Sequence, residues 1–114
     1  MASQSFEVQY YKANLVSHNA PGLTGVYAYV HLNWDNKSRA TLWFHSDPTT
    51  LTNSVSGSGD DIRYYARFTA AQFADSIDLL RNEKPVYFVW NDTSKGATLS
   101  TAYEPIGEET DMGF

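Results

Sequence analysis

The chain contains no cysteine. That absence removes disulfide frameworks, thiolate metal sites, cysteine nucleophiles and iron–sulfur clusters together. It leaves the compartment open, because a cysteine-free chain tolerates any redox potential. Charge is scarce as well: charged residues make up 18%, and eight basic residues face 13 acidic ones for a net charge of −5. That balance argues against wide binding of a nucleic-acid backbone. No run approaches the roughly 20 apolar residues that span a bilayer. The opening Met1-Ala2-Ser3-Gln4-Ser5-Phe6-Glu7 lacks a basic region followed by an apolar run. It does not read as a secretory signal, so the localisation is open: cytoplasmic by default, or a chain exported by another route or already processed.

What the chain does have is aromatic side chains: three Trp, eight Tyr and six Phe in 114 residues. Aromatics favour the pleated, half-buried surface of strands. The length suits one domain, and 42% apolar residues suit a globular one. Glu104, Glu108, Glu109 and Asp111 make the last eleven residues acidic, with no Lys or Arg among them. The expected organisation is a single β-rich domain over residues 1–103 and an acidic tail over 104–114 that frays in solvent, with a functional acidic arm, or docking onto the body through Ile106, Met112 and Phe114, as the alternatives.

Alternation of apolar and polar residues locates the strands. Phe6-Glu7-Val8-Gln9-Tyr10 alternates, and at Tyr10-Tyr11 the phase slips, so that Tyr11, Ala13 and Leu15 become the apolar set. A one-residue slip is the mark of a bulge that bends a sheet. After a turn at Asn19-Ala20-Pro21-Gly22, the even positions Val26, Ala28, Val30, Leu32 and Trp34 form a second strand. Ala40, Leu42 and Phe44 form a third. A three-residue loop at Asp35-Asn36-Lys37 keeps evens opposite evens, whereas a two-residue loop would set core residues against solvent residues. Residues 47–61 read as one long loop, mobile or functional. Its Gly57-Ser58-Gly59 lacks the spacing and the Lys-Ser/Thr of a phosphate-binding loop.

Ile62, Tyr64, Ala66 and Phe68 alternate with Arg63, Tyr65 and Arg67 in a fourth strand. Thr69-Ala70-Ala71-Gln72 is a capping box that opens a helix running to about Asn82. Ala70, Phe73, Ala74, Ile77 and Leu80 make its apolar stripe, and Leu79 sits off it. Pro85 stops the helix. Val86, Phe88 and Trp90 mark a fifth strand, and residues 97–103 a sixth. The expected fold is α+β and mainly antiparallel: four strands, one helix and two strands, with the helix on one face of a curved sheet.

The hairpin register gathers a second face from the odd positions. It sets Tyr27 opposite His45, Tyr29 opposite Trp43, His31 opposite Thr41 and Asn33 opposite Arg39. Tyr27, Tyr29 and Trp43 amount to roughly 450–750 Å² of ring-bearing side chain. The largest apolar patch on a typical monomer is roughly 300–600 Å². Something therefore covers this face: the curled sheet itself, a second copy of the chain, a partner protein or a small ligand. Tyr27, Tyr29 and Trp43 suit the apolar face of a sugar or another planar ring, with His31, Asn33, Arg39 and His45 as the polar edge. The functional expectation is a non-catalytic binding module for a small molecule or glycan. The alternative is a protein–protein contact or a homo-oligomer that buries the same face.

Other chemistries find less support. His18, His31 and His45 match no metal-ligand spacing, and the partners of His31 and His45 lie roughly 13 Å apart along a strand. No G-x-S-x-G elbow accompanies the Ser, His and Asp residues. Asp47, Asp60 and Asp61 read as solvated loop acids. Exposed aromatics also stack bases, but Arg39, Arg63 and Arg67 are too few to line a basic groove, so nucleic acid is not expected as a partner. No cofactor pattern is present. Asn36-Lys37-Ser38 and Asn91-Asp92-Thr93 match the N-glycosylation pattern at a frequency that chance in turns explains.

Overall fold

The alternating N-terminal stretch makes two strands rather than one bent strand, and the two belong to different sheets. The computed structural model describes residues 3–17 and 20–102. The acidic tail, Tyr103, His18 and Asn19 lie outside the described residues. The strands are β1 (Ser3–Glu7), β2 (Tyr10–Leu15), β3 (Val26–Trp34), β4 (Lys37–His45), β5 (Ser54–Ser56), β6 (Arg63–Thr69), β7 (Val86–Asn91) and β8 (Ala97–Thr101). The helix α1 (Phe73–Asn82) stands between β6 and β7. This is an α+β, mostly antiparallel fold, with eight described strands in two sheets where six in one sheet were expected.

The orders are β1-β7-β8 and β2-β3-β4-β6-β5. The slip at Tyr10 marks the passage between them. Val8 N–H donates to the Val86 carbonyl at 2.8 Å, and Gln9 N–H donates to the Asn33 carbonyl at 2.9 Å. Adjacent residues thus hydrogen-bond to different sheets. A phase change looks the same in sequence whether a strand bulges or leaves.

The β3–β4 hairpin turns through two residues. Asp35 and Asn36 have φ of 56° and 62°, the paired left-handed conformation that suits the twist of a two-residue hairpin. Trp34 then faces Lys37 and Asn33 faces Ser38, an odd–even pairing. Arg39 is an extra residue that shifts the frame, so that Leu32 faces Ala40, His31 faces Thr41 and Tyr29 faces Trp43. The two-residue turn and the bulge together restore the odd-with-odd register expected of a three-residue loop. A second irregularity skips Tyr27, and Val26 faces His45 in its place.

The 47–61 segment is not one long loop. Ser54–Ser56 pairs antiparallel with β6, and a 3-10 turn at Gly59–Asp61 leads into it. Gly57 is needed there: its φ is +75°, and a Cβ would collide with the Asp61 carbonyl oxygen. This excursion returns the chain parallel to β4, with Leu42 facing Ala66 and Trp43 facing Arg67. The four early strands therefore include one parallel pair. Beyond Ser54 the β6 edge is continued by a side chain. Asn53 Oδ1 accepts from Arg67 N–H at 2.7 Å, and its Nδ2 donates to the Lys95 carbonyl at 2.8 Å.

Gln72 closes the capping box, with Thr69 N–H donating to its Oε1 at 2.9 Å. Residues 70–72 form a 3-10 turn before α1 proper. Phe73, Ile77 and Leu80 pack on the core, whereas Ala74 is exposed and Leu79 half-buried. Ser76 is buried and returns its hydroxyl proton to the Gln72 carbonyl at 2.9 Å.

The core lies on the even face of the five-stranded sheet: Ala28, Val30, Leu32, Trp34, Ala40, Leu42, Phe44, Tyr64 and Ala66. Two elements cover it side by side. The three-stranded sheet stacks Phe6 on Trp34 with ring centroids 4.8 Å apart and sets Trp90 against Tyr64 at 5.0 Å. The helix brings Phe73 edge-on to Phe44 at 5.2 Å. The odd face is left on the other side.

Candidate functional site

Strand register aligns the odd face in rows. One row runs Lys12, His31, Thr41, Tyr65 and Ser54; the next runs Asn14, Tyr29, Trp43 and Arg67. Neighbouring strands lie about 4.8 Å apart, so residues within a row touch. Tyr29 and Trp43 ring centroids are 5.0 Å apart, and Tyr29 meets His31 edge-on at 5.4 Å. The Arg67 guanidinium carbon stands 5.8 Å from the Trp43 ring centroid, within cation–π range.

Beside Trp43 the face sinks into an open cavity of about 350 Å³ lined by Gly22, Leu23, Val26, Trp43, Tyr65 and Arg67, with Ser54 at its rim. The loop before β3 forms one wall and β6 the other. The size lies at the lower end of the roughly 300–1,000 Å³ of small-molecule sites. The lining combines apolar side chains, an indole, a phenol and one guanidinium.

Four of the seven expected site residues meet here or beside it: Tyr29, His31, Trp43 and His45. Asn33 shares the face one row further along, opposite Tyr10 and Ser38 rather than Arg39. Tyr27 leaves. Its displacement from the ladder brings its ring edge-on to Phe73 of α1 at 5.7 Å, on the core side. Arg39 leaves as well. As the extra residue of β4 it is buried, its Nη1 donates to the Asp60 carbonyl, and its Nη2 lies 4.0 Å from the Asp35 carboxylate. Sequence reasoning missed Tyr65 and Arg67 as members of the face. Their alternation was visible, but the parallel pairing that sets them beside Trp43 was not.

The two described histidines are held neutral. His31 Nδ1 lies 3.1 Å from Thr41 Oγ1, and burial with the nearby Lys12 charge lowers its pKa below 6.5. His45 is buried with its Nε2 3.3 Å from Arg67 Nη1, and burial with the Arg67 charge lowers its pKa likewise. Arginine has no acceptor, so Nε2 accepts and the imidazole proton sits on Nδ1.

A larger cleft of about 690 Å³ lies where residues 7–11 pass between the sheets beside the end of α1. Its charges are of both signs, with Glu7 and Glu83 against Arg81 and Lys84. Among the described residues no group of three or more His, Asp or Glu is placed to hold a metal ion, and no helix is long and apolar enough to cross a membrane. No protein-family model, curated protein or solved structure matches the chain.

Proposed function

We propose that the protein is a non-catalytic binding module that seats a ring-shaped small ligand, a sugar or another planar ring, against Trp43. One observation carries this reading. The aromatic face has a cavity of small-ligand size beside Trp43, while α1 and the three-stranded sheet are both spent on the opposite face. The half-buried indole, between Tyr29 and Arg67, gives the cavity an apolar wall, and Tyr65 and Arg67 offer directed hydrogen bonds around it. Ring stacking plus a few convergent polar groups is how such sites gain orientation.

Tryptophan fluorescence tests it directly. Trp34 and Trp90 are buried in the core, so ring compounds that change the emission act through Trp43. A panel of methyl glycosides and of benzene derivatives is expected to contain a saturable quencher. Trp43→Ala is expected to abolish that binding while costing about 1–3 kcal/mol of stability, leaving a folded domain. An unfolded Trp43→Ala variant would place the ring in the structural core and overturn the site. A light-scattering dilution series that shows a stable assembly, dissolved by Trp43→Ala, would assign the face to self-association instead.

A further inference from the structure

The charge on this face is of one sign. Its strand positions carry Lys12, Arg63 and Arg67, with the neutral His31 and His45, and no Asp or Glu stands among them, although the chain as a whole is at −5. The acids of the described residues lie on loops, on the helix and at the far sheet edge.

Arg67 is the focus of that charge. It lines the cavity, stands over Trp43 and is half-buried. Nη1 is spent on His45, a neutral acceptor, and Nε is buried with no hydrogen-bond partner. The one ion pair among the described residues joins Arg39 to Asp35, so no carboxylate of the described residues neutralises Arg67. Guanidinium groups taken partly out of water are normally paired, because a desolvated charge without a partner is costly. Arginine's planar fork matches a carboxylate in a two-bond geometry that lysine cannot reproduce.

We infer that the ligand of the Trp43 groove is an acidic ring compound, whose ring packs against Trp43 while its carboxylate pairs with Arg67. This rests on the binding-module reading above and narrows it: a sugar acid or an aromatic acid fits, and a neutral sugar fits less well. The bound carboxylate would supply the counter-charge that the described residues do not. Lys12 and Arg63, further out on the same face, would draw the anion in without contacting it, and this contribution would fade with added salt.

Matched pairs of probes test the inference: benzoate against benzamide, and glucuronate against methyl glucoside, each titrated into the full chain by fluorescence and by ¹H–¹⁵N NMR. The acid of at least one pair is expected to bind tenfold or more tighter than its neutral partner. Arg67→Gln is expected to erase that preference, and Arg67→Lys to restore only part of it. Equal binding of acid and neutral partner would overturn the inference and leave the binding module standing. Failure of all four probes, and of the wider ring panel, would overturn both. Unchanged acid preference in Arg67→Gln would remove Arg67 from the role. Phenyl phosphate binding tighter than benzoate would replace the carboxylate by a phosphate. Should Arg67→Gln fail to fold, as judged by near-ultraviolet circular dichroism, the wild-type acid-to-neutral ratio decides alone.

Discussion

Asp35 and Asn36 show how much a turn asks of single residues. Both sit at positive φ, a region that Asn and Asp enter more readily than other side chains. Asn36→Val places a β-branched side chain in that region and is expected to destabilise the fold by about 1–2 kcal/mol. Urea denaturation checks this; an unchanged midpoint would mean that the hairpin relaxes into another turn. Arg39 answers for the same turn. A two-residue loop alone would leave the strands out of phase, and the bulge at Arg39 brings Ala40 back opposite Leu32. The residue expected to recognise a ligand is thereby used to lock a register. Tyr27 is diverted in the same way at the other end of β3, towards Phe73.

At the scale of elements, the helix and the small sheet divide the work of covering one face. Phe44 is fully buried, with Phe68 stacked at 5.4 Å and Phe73 edge-on at 5.2 Å. Phe44→Ala is therefore expected to cost about 3–5 kcal/mol in urea denaturation. A loss below about 1 kcal/mol would show that α1 docks without this contact. Strand alternation, the capping box and the apolar stripe of α1 were all legible in the sequence, because each is a local pattern. Which sheet a strand joins is not local. Val8 and Gln9 alternate like any strand residues, yet they divide one run between two sheets. The site divides along the same line. Tyr29, His31 and Trp43 follow from a hairpin, which joins neighbours in sequence. Tyr65 and Arg67 arrive through a parallel pairing across a 17-residue excursion that contains its own short strand, and periodicity carries no sign of it.

The whole molecule should register the two neutral histidines as acid sensitivity. Both have folded-state pKa values below the usual 6.5. The unfolded chain then binds protons that the folded chain refuses, so unfolding gains ground as pH falls. This contribution to stability is complete above about pH 6.5 and is lost as pH falls through that value towards the lowered folded values. The urea midpoint is expected to be flat above about pH 7.5 and to drop by about pH 5. His45→Gln should reduce the drop, and a midpoint indifferent to pH over this range would contradict the neutral, desolvated setting of both rings. Asp47, held ionised by Thr49, acts in a separate window, below its usual 3.8. A last consequence belongs to Asn53. A three-residue β5 cannot pair the whole of β6, and an unpaired strand edge is a template for other chains. By taking the Arg67 N–H with its side chain and anchoring to the Lys95 carbonyl, Asn53 caps that edge with a group that cannot propagate a sheet. The same residue that ties the two sheets together thus guards the molecule against edge-to-edge aggregation.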